Sequence, residues 1–126
     1  MMVQQSEHTI LIAMTDPICK NDVVNFFRQE NYRFLCAGTG EEAIGLFMQH
    51  PEVELILIDI DLPVINGIET IRRVKQLDTN VPVILLVNYL MLESLRLAQN
   101  LGCNEILQTP LSQGSLDAIF TKYLYG

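Results

Sequence analysis

Basic residues are scarce in this chain: 8 Lys and Arg stand against 15 Asp and Glu, for a formal net charge of −7 at pH 7. Nucleic acid is therefore a poor partner, because phosphate binding needs a basic footprint. Long apolar stretches are missing too. Runs such as Val83–Val87 fall far short of the ~20 residues that cross a bilayer, so no membrane partner is expected. The start, Met1 to His8, has neither the positive segment nor the apolar stretch of a secretory signal. Cysteine occurs three times (Cys19, Cys36, Cys103), an odd number without a CxxC pair, which speaks against a disulfide framework or a zinc site. Hydrophobic residues make up 49% and charged residues 18%, too apolar a balance for disorder. What remains is a soluble, cytoplasmic globular domain, and 126 residues suffice for one.

Short apolar runs alternate with segments of helical period. Thr9–Ala13 reads as a buried strand closed by Thr15-Asp16-Pro17, and Ile18–Glu30 as a helix with Val23, Phe26 and Phe27 on one face. Tyr32, Phe34 and Cys36 alternate as a second strand, and Gly38-Thr39-Gly40 opens a helix carrying Ala43, Ile44, Phe47 and Met48. Leu55–Ile58 ends at Asp59. A helix follows from Gly67, with Ile68, Ile71 and Val74 inward. Val83–Val87 leads into helical spacing through Leu95, Ala98 and Leu101, stopped by Gly102. Glu105–Leu107 is a last short strand before an amphipathic helix with Leu116, Ile119, Phe120 and Tyr123. Five βα units whose strands are apolar on both faces predict an α/β fold, a parallel sheet covered by helices on both sides. Residues 1–8 read as a flexible N-terminal segment, and 9–126 as the domain.

In such a sheet, function sits at the carboxyl ends of the strands. Asp59 is the foremost candidate there. It ends a hydrophobic strand, and Asp61, Pro63 and Asn66-Gly67 follow in a loop that turns into a helix. On residue type alone, Asp59 could be a nucleophile towards phosphoryl donors, a metal ligand or a helix cap.

The segment Leu55-Ile56-Leu57-Ile58-Asp59-Ile60-Asp61-Leu62-Pro63-Val64-Ile65-Asn66-Gly67-Ile68-Glu69 resembles the phospho-acceptor region of receiver domains of two-component response regulators. Gly40-Glu41-Glu42-Ala43, Val81-Pro82-Val83-Ile84, Leu101-Gly102-Cys103 and Pro110 match further family positions, so the resemblance runs from Ile10 to Tyr123. It implies a flavodoxin-like (βα)5 fold with strand order 2-1-3-4-5, a cis bond at Thr109–Pro110, and a role in phosphorelay signalling rather than catalysis of its own. Receiver chemistry uses an acceptor Asp, an acidic pair for Mg²⁺, a hydroxyl residue, a lysine and an aromatic switch residue. Here only Asp59 matches. Met14 and Thr15 occupy the acidic-pair positions, Val87 the hydroxyl position, Thr109 the lysine position and Ile106 the aromatic position.

These losses agree electrostatically, since two carboxylates and the ammonium disappear together. Met14 offers a hard cation no oxygen, so no resident cofactor is expected. The resulting expectation is a pseudo-receiver that works by binding proteins, with weak or no phosphorylation of Asp59. Its alternative is a phospho-accepting receiver with an improvised Mg²⁺ site at Asp16 and Asp61 beside Asp59. A flavin carrier or small enzyme is disfavoured, because the strand ends lack a phosphate-cradling glycine pattern. For partners, the resemblance implies a histidine kinase, an output domain or a second copy, through the face of the fourth helix, fifth strand and fifth helix. Tyr89-Leu90-Met91-Leu92 reads as the apolar opening of that fourth helix and as the partner surface. His8 and His50 read as solvated, Cys36 and Cys103 as buried thiols, and Arg72, Arg73 and Lys75 as a solvated helix face.

Overall fold

The computed structural model describes residues 8–27, 31–89 and 91–125, with residues 18 and 19 described by their backbone alone. Among the described residues, five strands, β1 (His8–Ala13), β2 (Tyr32–Ala37), β3 (Val53–Asp59), β4 (Val83–Val87) and β5 (Glu105–Gln108), alternate with five helices. These are α1 (Pro17–Phe26), α2 (Gly40–Gln49), α3 (Gly67–Leu77), α4 (Leu92–Asn100) and α5 (Gln113–Phe120), the last running on into a π-helical turn at Thr121–Tyr125. All strand pairs are parallel and the order is β2-β1-β3-β4-β5. This is the doubly wound, flavodoxin-like arrangement.

Side-chain alternation splits the apolar strands between two cores. Leu11, Ala13, Ile56, Ile58, Leu85 and Val87 face one way and pack with Ala43 of α2, Ile71 and Val74 of α3 and Ala98 of α4. Ile10, Ile12, Leu55, Leu57, Ile84 and Leu86 face the other way, against Val23 of α1 and Leu116, Ile119 and Phe120 of α5. Because both faces are covered, the central strands contain unbroken apolar runs at Ile10–Ala13, Leu55–Ile58 and Val83–Val87.

Local chemistry fixes most helix starts. Thr39 caps α2 by accepting from the Glu42 amide at 3.0 Å, while the Glu42 carboxylate reaches back to the Gly38 amide at 2.6 Å. Asn66 caps α3 through the Glu69 amide at 2.9 Å, and Ser112 caps α5 through that of Ser115 at 3.1 Å. The N-cap of α4 is Met91, which has no side-chain acceptor to offer.

Four details differ from the sequence expectation. His8 is the first residue of β1, and its Nδ1 lies 2.8 Å from the Glu54 carboxylate, so it is not part of a solvated segment; residues 1–7 lie outside the described region. Cys36 is exposed, because β2 is an edge strand and has a neighbour on one flank only. Tyr89 and Met91 precede α4 and do not open it: Met91 is extended (φ −110°, ψ 118°) and the helix begins at Leu92. Lys75 is buried, on the inward stripe of α3 beside Ile71 and Val74.

Candidate functional site

Asp59 closes β3, opposite Leu86 of β4, where the ladder ends and the chain turns away from the sheet. Its Oδ1 accepts the Asp61 amide at 2.9 Å, a local turn that aims the carboxylate along the strand ends. The loop returns tightly. The Gly67 amide donates to the Ile60 carbonyl at 3.0 Å, and the first turn of α3 lies directly on the Asp59–Ile60 backbone. Between them Val64 takes a left-handed conformation (φ 70°), which costs a β-branched residue about 1–2 kcal/mol. Val64→Gly should recover about 1 kcal/mol in urea unfolding; no gain would show that the loop holds no such strain.

A cavity of about 30 Å³, room for roughly one water, lies at the carboxylate and is lined by Met14, Asp16, Asp59, Leu86, Asn88 and Thr109. Burial pushes the Asp59 carboxyl above its ordinary value, and the neighbouring Asp61 and Asp16 charges push the same way against the Asp61 amide. A carboxyl whose folded pKa is raised stabilises the fold below its unfolded pKa. That stability is lost as pH rises through the folded value. Asp59→Asn keeps the Oδ1 acceptor and removes the charge. It should therefore raise stability at pH 7, by no more than about 1 kcal/mol once solvent screening of this half-exposed group is allowed for, and by almost nothing at pH 3. Equal gains at both pH values in urea unfolding would contradict the charge argument.

The sequence candidates divide between two places. Met14 and Thr109 meet Asp16 and Asp59 at the small cavity, whereas Thr15 is exposed and outside it. Val87 is buried on the opposite face of β4, and Ile106 packs into that same core. Asp61 and Val87 line a larger groove of about 360 Å³, together with Tyr89 and Met91. Leu92 is 63% exposed on α4, and Leu90 lies outside the described residues. The Thr109–Pro110 peptide is cis.

Asn88 had no role assigned from sequence, yet it joins three loops. Its Oδ1 accepts from the Thr109 hydroxyl at 2.8 Å, its Nδ2 lies 3.5 Å from Asp61 Oδ2, and its carbonyl accepts from Gln108 Nε2 at 3.3 Å. The available signal was its position, a polar residue just past an apolar strand. A neutral bridge thus occupies the loops where the receiver pattern places a lysine.

The small cavity offers a cation the carboxylates of Asp16 and Asp59 and the thioether of Met14. Among the described residues, no group of three or more His, Cys, Asp and Glu side chains is arranged to hold a metal ion.

A five-stranded 2-1-3-4-5 sheet with a carboxylate at the end of its third strand is the architecture of receiver modules in two-component signalling. Residues 10–121 match the response regulator receiver domain, and the chain belongs to that family. Response regulator GtcR of Aneurinibacillus migulanus is 33% identical over 82% of this chain, which spans only 42% of that protein. Sporulation initiation phosphotransferase F of Bacillus subtilis (strain 168) is 28% identical over 78% of each chain. A CheY-like response regulator receiver domain protein from Methanospirillum hungatei JF-1 superposes with a TM-score of 0.87 at 23% identity, covering 95% of both chains. Among the described residues, no helix is long and apolar enough to cross a membrane.

Proposed function

We propose that this receiver acts as a pseudo-receiver: a signalling module that works by docking on other proteins, with weak or no phosphorylation of Asp59. The observation that carries this reading is the lining of the Asp59 cavity, where Met14, 2% exposed, and the Thr109–Asn88 hydrogen bond replace oxygen ligands and an ammonium. Phosphoryl transfer depends on positioned cations far more than on covalent help from the protein. With those cations gone, the acceptor lacks charge stabilisation for the incoming phosphoryl group. Receiver domains are signalling modules rather than enzymes, and the same role is assigned to this chain. Its acidic balance favours protein over nucleic acid as the partner, with a cytoplasmic histidine kinase, an output domain or a second copy as the classes.

Incubation with acetyl phosphate and Mg²⁺ should leave the intact mass unchanged. A stable gain of about 80 Da, one phosphoryl group, that disappears in Asp59→Asn would overturn the reading.

A second reading, a phospho-accepting receiver with a metal site improvised from Asp16 and Asp61, is favoured by one observation. Asp16 shares the cavity with Asp59, and both Asp16 and Asp61 lie near enough to raise its pKa. It requires Mg²⁺ binding at millimolar concentration that Asp59→Asn abolishes, visible as backbone amide shifts around the strand ends.

A further inference from the structure

We propose that the groove between the β3–α3 loop and α4 is a docking site for a protein segment that presents an apolar anchor beside lysine or arginine. The inference rests on the reading above that the module works by contact, and it names the chemistry of the contact.

The groove has a volume of about 360 Å³. Leu62 and Ile68 form one wall, Met91 and Leu95 the other, with Tyr89 at the rim. Asn66, Asn88 and Ser94 add polar surface between these apolar walls, and a concave space of this size and mixed lining accepts a large apolar side chain with polar groups beside it. Its rim is apolar and open to solvent: Tyr89 is 63% exposed and Met91 50%. Met91 is costly where it stands. At an N-cap, Ser, Thr, Asp or Asn would satisfy a helix amide, and Met91 makes no such bond. An apolar residue held exposed at a position that local helix chemistry assigns to a polar one marks a surface kept for another purpose.

The charge of the groove selects among occupants. Among its lining residues, the one charged side chain is Asp61, at the lip, in a chain whose net charge is −7. A desolvated segment seated there meets a carboxylate and no cation. Acidic segments are repelled and basic ones attracted. The groove is also pre-shaped. Asn88 lines it and is tied to Asp61 on the β3–α3 side and to Thr109 and Gln108 on the β5 side, so the backbone entering Tyr89 is anchored before anything binds.

The test is selection of a random-peptide display library against the full chain, followed by backbone amide shift mapping with a recovered peptide. Recovered sequences should pair Leu, Ile, Met or Phe with Lys or Arg, and shifts should centre on Ile68, Ser94 and Leu95. Met91→Glu, a change at an exposed position, should weaken binding at least about tenfold. Asp61→Lys should reverse the selected charge to acidic. Peptides without a basic bias, peptides indifferent to both variants, or failure to recover any would each overturn the proposal. So would self-association that Met91→Glu abolishes, which would assign the groove to a second copy. Phosphorylation of Asp59 is read by mass alone, so failure of the pseudo-receiver reading is distinguishable from failure here.

Discussion

Gly67→Ala should cost about 3 kcal/mol or more in urea unfolding, enough to threaten folding altogether, since domains of this kind hold only about 5–15 kcal/mol. A Cβ at position 67 would lie inside van der Waals contact of the Asp59 carbonyl oxygen and 2.7 Å from Ile60 Cα. Both are backbone atoms at the end of β3, fixed by the ladder to β4, so neither can step aside as a flexible side chain would. The consequence reaches the site, because relieving the clash moves the peptide that aims the Asp59 carboxylate. Gly45→Ala is the matched control. It sits inside α2 with nothing within 4 Å of the new methyl, and it should gain about 0.5–1 kcal/mol from helix propensity. Similar effects at the two positions would refute the close-approach argument.

The second large effect is expected at Lys75. Its Nζ donates to the Val81 carbonyl at 2.7 Å, to Asn104 Oδ1 at 3.1 Å and to the Thr79 carbonyl at 3.3 Å. Asn104 Oδ1 also accepts the Val83 amide at 2.9 Å, so one ammonium links α3, the start of β4 and the turn before β5. Two effects compete. Burial disfavours the charge and lowers the Lys75 pKa. Against that stand three hydrogen bonds from a charged donor, each worth roughly 1.5–3 kcal/mol when made and costly to its acceptor when lost. The bonds win on magnitude. Lys75→Met, which keeps the stem and removes the donors, should lose about 2–3 kcal/mol and about 10 °C in Tm. A loss under about 0.5 kcal/mol would mean that water replaces the ammonium freely. The burial effect has its own signature. A lysine with a lowered folded pKa makes the fold more stable as pH rises between that value and its ordinary one, and Lys75→Met should remove that rise.

How much of this was legible in the sequence depends on which residues carried the signal. The sheet was readable because Leu55–Ile58 and Val83–Val87 are apolar at every position, which only burial on both faces explains. Asp59 was readable because an acid directly after such a run has nowhere to sit but the strand end. Lys75 was misread because charge outweighed position: it lies four residues after Ile71, hence on the inward stripe. The start of α4 was misread because four consecutive apolar residues carry no period, and the extended backbone at Met91 leaves no trace in composition. Asn88 was invisible as a hub, because its partners Asp61, Gln108 and Thr109 come from the β3–α3 loop, the end of β5 and the turn after it, which only the folded topology brings together.

Asn88 alone among the residues named here borders both the small cavity at Asp59 and the large groove beside α4. Linkage then works in both directions. An occupant of the groove that displaces this amide, and with it Asp61, whose amide and charge both act on Asp59, is expected to change the proton affinity of that acid. Any event at that acid which tugs the amide must change how well the occupant holds, by the same factor. A titration of Asp59 would thus count as a measurement of events on the far side of β4, made without touching them.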